Sequence, residues 1–250
     1  MGTTKLTRKE ILAEDPVHIA IIQIVEFFRT QGKAIAAVAA FALILAIGGY
    51  FGIDYLQARD ARMQQQLGRA LAIYHGRIDP SATGDPFAKG PDPVFKTEDA
   101  KYQAAIKEFS AIASKYAAGK LGITARYYLG LSHLRLGQNN EALRALEEVR
   151  NNSRDKTLGY LAKKVLARYY LGIGNYKASQ ELLDNMIRDP QCDLPREDLN
   201  VDLARIYEAQ GKPDEALKTL RKAREEGANS GFQPFIVQEI NRLEAGAGTK

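Results

Sequence analysis

The side chains best suited to ligate a metal or attack an electrophile are few in this chain. They are three histidines, His18, His75 and His133, and one cysteine, Cys192. All four lie far apart in sequence. No HExxH, GxSxG or GxxxxGK(S/T) pattern sets a base beside a nucleophile or wraps backbone around a phosphate. One thiol closes no intramolecular disulfide and completes no thiolate metal site. Catalysis would need a titratable cluster assembled by folding alone, so the expectation is a protein that is not an enzyme, with no cofactor, no metal and no small-molecule substrate. What remains is the chemistry of recognition. Tyr and Arg, set among aliphatic side chains, most often dominate binding energy at protein interfaces. Such residues recur in three groups: Tyr127, Leu131, Leu134 and Arg135; Lys164, Arg168 and Leu171; Val201, Arg205 and Glu208.

These groups sit inside an internal repeat. Gly137, Gly174 and Gly211 are each 37 residues apart. In the same step run Ala105, Ala142, Ser179 and Ala216, then Phe109, Leu146, Leu183 and Leu220, then Ile112, Val149, Met186 and Ala223. Each unit reads as two helices around a turn glycine that can take the left-handed conformation ending a helix. The first helices carry Leu129-Gly130, Leu166-Ala167 and Leu203-Ala204, followed by His133, Tyr170 and Tyr207. The second helices open with Glu141-Ala142 or Glu215-Ala216. Small residues such as Gly130 and Ala142 let the two helices cross closely.

This pattern resembles the tetratricopeptide repeat, whose signature is Leu-Gly, a Tyr, then Ala and a bulky residue. Leu203-Ala204, Tyr207, Gly211, Glu215-Ala216, Leu220 and Ala223 carry the likeness best. The unit of Leu129-Gly130 has His133 in the Tyr place, and the middle unit has Ser179 in the Ala place. The usual period is shorter, so the extra residues are expected in the loops near Asn151–Asp155 and Pro190–Pro195. The resemblance implies an all-α solenoid whose first helices line a concave, peptide-binding face. The three groups named above fall on that face by helical wheel. Its cations suit an extended or helical segment with acidic groups. The paired Asn residues of tetratricopeptide domains that clamp a terminal carboxylate are absent.

At the edges of the repeat, Tyr102–Ile112 forms a second helix whose first helix is expected over Arg59–His75, with Leu67-Gly68 in the Leu-Gly place. Between them Gly76–Lys96 holds Pro80, Gly84, Pro86, Gly90, Pro91 and Pro93, which reads as a disordered loop insertion. Phe235, Ile236, Ile240 and Leu243 are spaced as a capping helix, and residues 245–250 are expected to be a flexible tail.

Ahead of the repeat domain (54–244) lies a run from Ala34 to Ile53 without a charge. As a helix it would span about 30 Å, the hydrocarbon thickness of a bilayer. A transmembrane helix over 34–53 is therefore expected, behind an arm of residues 1–33 in which Val17–Phe28 forms a short apolar helix. A short arm and a long C-terminal domain suit an N-in anchor. The lead-in Phe27-Phe28-Arg29-Thr30-Gln31-Gly32-Lys33-Ala34 and the single anchor resemble the membrane-anchored ancillary subunits of the Sec translocon (the YfgM-like family). That resemblance implies a bacterial inner membrane, a periplasmic repeat domain, and partners among the Sec translocon and periplasmic chaperones. A scaffold for outer-membrane assembly, cell division or a respiratory complex is the alternative. The formal charge of +5 is spread with both signs mixed, unlike the dense basic face of a nucleic-acid binder.

Overall fold

The computed structural model describes residues 61–247, apart from 89, 118, 153, 154, 228 and 229, together with twelve positions between 21 and 50. Two compact units result, Met1–Arg62 and Met63–Lys250. In the first, the described residues are helical and exposed, among them Ile21, Val25, Phe41, Leu43, Leu45 and Ile47. No helix among the described residues is long and apolar enough to cross a membrane. Most of the span expected at 34–53, and most of the arm, lie outside the described residues.

The second unit is a run of helices. A helix over 61–75 (α1) is followed by two short strands, β1 Arg77–Ile78 and β2 Val94–Phe95. Then come α2 Glu98–Lys115, α3 Lys120–Arg135, α4 Asn139–Asn152, α5 Lys156–Gly172, α6 Tyr176–Arg188, α7 Arg196–Ala209, α8 Pro213–Glu226 and α9 Gln233–Ala247. Side chains of Thr97, Asp155 and Asn175 cap α2, α5 and α6, and Pro213 opens α8 where its missing N–H costs nothing.

The expected two-helix units are present. α1–α2, α3–α4, α5–α6 and α7–α8 form four pairs, and α9 covers the last. The twelve side chains that share the 37-residue step on α2, α4, α6 and α8 are each at most 2% exposed. Gly137, Gly174 and Gly211 have φ of 68°, 77° and 72°, the left-handed turn that a side chain would strain. In the middle unit Ser179 replaces the alanine at the crossing. Its hydroxyl donates to the carbonyl of Ala167 at 2.7 Å, so its polar group is satisfied inside the pair.

Each core cluster draws on three consecutive helices. Ala70, Phe109 and Ala125 tie α1, α2 and α3 together. Ile123, Leu146 and Leu166 do so for α3, α4 and α5. Tyr160, Leu183 and Leu203 link α5, α6 and α7, and Val201, Leu220 and Ile240 link α7, α8 and α9. First helices also touch across units, α3 with α5 and α5 with α7, whereas among the described residues no second helix packs comparably on the next. That asymmetry makes the first-helix side the inner face of the stack.

Three expectations need correction. Gly68 is not a crossing residue: a Cβ there would meet nothing within 4 Å, and the small buried residue of α1 is Ala70. Gly68→Ala is therefore expected to raise stability by about 0.5–1 kcal/mol, the gain of removing glycine from an open helical site, readable as a higher melting temperature. Second, the described residues of the 76–96 insertion, all but 89, are ordered rather than disordered. β1 and β2 pair in parallel, Phe95 is buried in the first cluster, and the Arg69 guanidinium lies 5.1 Å from the Phe87 ring centre. Gly76 allows this closure, because a Cβ would come within 2.9 Å of Phe95 and of the Pro93 carbonyl. Third, the C-terminal tail stays helical to Ala247, while 248–250 lie outside the described residues.

Candidate partner-binding face

Of the ten residues expected on the inner face, Val201 does not belong to a free surface. It is 3% exposed and sits in the core under α9. The capping helix lies over it, which a wheel drawn for α7 alone does not reveal. Leu134 and Leu171 pack partly into the clusters beneath α5 and α7. Tyr127 is also partly buried, and burial pushes its phenol up to about 12, with Tyr128 and Tyr74 adding to the effect. Leu131 is half-buried and belongs to none of the four clusters.

The expected row of free cations is largely paired. Lys164 on α5, with its side chain only 11% exposed, bonds the carboxylate of Asp198 on α7. Arg168 makes a two-pronged contact with Asp202, 2.9 Å from Nε to Oδ2 and 3.1 Å from Nη2 to Oδ1. Arg205 reaches the same carboxylate at 3.3 Å, and its guanidinium lies 5.6 Å from the Phe235 ring centre on α9. Asp202 is 3% exposed at its side chain, so a buried carboxylate is held by three cations. Glu208 accepts two hydrogen bonds from Arg242, at 2.8 and 2.7 Å, which hold its carboxyl below the usual range. These pairs form an ion ladder from α5 through α7 to α9. Sequence reasoning named Lys164, Arg168, Arg205 and Glu208 but missed Asp198, Asp202 and Arg242.

Across α1 and α3 the inner face has a different character. Tyr74 lies edge-on to His75, Tyr102 and Tyr128, with ring centres 5.1, 5.7 and 5.2 Å away. Tyr127 meets Tyr128 at 5.5 Å. Arg135 ends α3 exposed and acts on the Tyr74 phenol, partly offsetting the burial that raises it. Tyr102 of α2 is buried and Tyr128 stacks on buried Phe109, so on the inner side α3 offers Tyr127, Leu131 and Arg135 where the later helices carry the ladder.

No curated protein matches the chain significantly. Solved structures do. TPR-like repeats from a Podosopora anserina protein described as a kinesin light chain share 20% identity, cover 61% of this chain and 82% of their own, and give a TM-score of 0.49. A point variant of that protein matches at 19% identity with the same coverage and TM-score. Residues 124–155 and 201–230 match the tetratricopeptide repeat model, and these are the segments that build α3–α4 and α7–α8. These two segments are therefore tetratricopeptide repeats, units of two packed helices.

Proposed function

We propose that this protein is a membrane-anchored scaffold whose helical stack holds a partner protein on its inner face. The observation that carries the reading is the stretch of that face where Tyr127 and Leu131, both only half-buried, lie two turns and one turn before exposed Arg135. Anchoring rests on the uncharged run 34–53, within which Phe41, Leu43, Leu45 and Ile47 are 49–63% exposed on helical positions. Large apolar side chains presented in that way favour lipid over water. The arm lies on the cytoplasmic side and the repeat domain outside, at a bacterial inner membrane. The likeness to ancillary Sec subunits makes the role an accessory one in protein translocation or in a periplasmic chaperone network.

A photoreactive residue at Leu131 in intact cells tests this, with one at Arg144 as the outer-face control; the Arg144 side chain is 78% exposed on α4. Leu131 should give a discrete crosslinked partner that Arg144 does not, and replacing 34–53 by a cleavable leader should deplete it. Identical products from the two sites would refute the inner-face reading. Protease added to spheroplasts should digest the repeat domain, and full protection would overturn the orientation.

A further inference from the structure

We infer that the inner face of α1 and α3 is the docking site for an acidic segment of a partner protein, which sets an apolar side chain on Tyr127 and Leu131 and a carboxylate against Arg135. This rests on the proposal that the inner face holds a partner, and it names the partner's chemistry and its place.

The first argument is the distribution of charge. Residues 61–75 and helices α3 and α5 contain no Asp or Glu, while they hold Arg62, Arg69, Lys120, Arg126, Arg135, Lys156, Lys163, Lys164 and Arg168. The ladder's carboxylates come from α7 and α9 alone. They are already committed to Lys164, Arg168, Arg205 and Arg242, so an acidic ligand on that half would have to displace a two-pronged pair on a buried carboxylate.

The second argument is what remains after pairing on α3. Lys120 binds Asp155, and Arg126 binds Glu148 and the carbonyl of Ala117. Arg135 makes no ion pair with any described residue and leans instead on Tyr74. His75, edge-on to Tyr74 at 5.1 Å and to Tyr128 at 6.5 Å, likewise faces no carboxylate among the described residues. A guanidinium without a counter-ion thus shares one face of α3, at four-residue spacing, with a half-buried ring and a leucine that no cluster claims. A carboxylate next to an apolar side chain complements that arrangement, because the cation gains a charge-assisted bond and Leu131 loses water. A basic segment would be repelled.

The test uses the full chain in mild detergent and three fluorescein-labelled nonapeptides. All share a Leu-Phe-Leu centre and are flanked by Glu and Asp, by Lys and Arg, or by Ser and Gly. By anisotropy the acidic probe should bind at least about tenfold more tightly than either other, and the advantage should shrink with added salt. Arg135→Glu should weaken it about tenfold or more, Arg135→Lys should restore part of the affinity, and Arg144→Glu should change nothing. Helicity should be unchanged in all three variants, since both arginines are exposed and neither is paired with a buried carboxylate. Equal binding of the three probes, no binding of the acidic one, or indifference to Arg135→Glu would each overturn the inference. If Leu131 still crosslinks to a partner in cells in that case, the inner-face reading survives and only the acidic chemistry falls. If Leu131 crosslinks to nothing, that reading falls as well.

Discussion

Ala142→Trp is expected to destabilise the repeat domain by about 3 kcal/mol or more, at the upper end of what overpacking a close crossing costs. The reason lies in how little room the α3–α4 crossing leaves. Ala142 is completely buried, and at Gly130, on the facing helix, a Cβ would stand 2.7 Å from Leu146 Cγ and 3.4 Å from the Ala142 carbonyl. An indole cannot enter without parting the helices and opening the cluster of Ile123, Leu146, Val149 and Leu166. Gly130→Ala should destabilise too, by about 1–3 kcal/mol, although alanine is the better helix former by about 1 kcal/mol. Its sign is thus opposite to that of Gly68→Ala. Thermal melts of the full chain followed by circular dichroism would read all three. A neutral outcome at Ala142 together with a neutral Gly130→Ala would mean that this crossing is not where the chain is tightest.

The crossing was legible because a repeat repeats its sterics. A small residue, a bulky one and an aliphatic one recur every 37 residues because each second helix must fit the same slot, and all twelve are buried. Turn glycines were legible for a similar reason, since a left-handed residue is needed once per unit. The 76–96 insertion was not. Its prolines and glycines speak for a loop, and its order comes from Phe95 and Phe87 seating on α1 and α2, contacts that composition does not encode. Gly68 misleads because the Leu-Gly pair alone does not say which side of α1 meets its partner helix; burial puts Ala70, not Gly68, in the cluster with Ala105.

The ion ladder was illegible for a geometric reason. Lys164 with Asp198, Arg168 with Asp202, and Glu208 with Arg242 are each separated by 34 residues, not 37. Neighbouring first helices are therefore paired about one helical turn out of step with the repeat. A comparison of equivalent positions puts Arg168 beside Arg205 and suggests a row of cations. The pairing one turn back puts Asp202 between them and neutralises the row.

From that geometry follows the second large effect. Asp202→Ala should cost about 3 kcal/mol, the lower end of the range for breaking a buried pair, because Lys164 is then left buried with only Asp198 to balance it. Arg168 and Arg205 add little to this figure, since their side chains are 51% and 42% exposed and water can replace the carboxylate. Removing both members, as in Lys164→Met with Asp202→Leu, should cost much less than Asp202→Ala, since no buried charge is orphaned and the Arg168–Asp198 contact at 3.8 Å remains. Denaturant midpoints of the two variants compare them directly. A double variant as unstable as Asp202→Ala would show that the ladder stabilises by more than charge balance. Reversing Lys164, Arg168 and Arg205 to Glu together should unfold the C-terminal half, because three new carboxylates would face Asp198 and Asp202. A loss of partner in that triple variant would then report a broken stack and say nothing of the inner face. Arg135, exposed and without a carboxylate partner among the described residues, is the position where charge can be reversed with the fold intact.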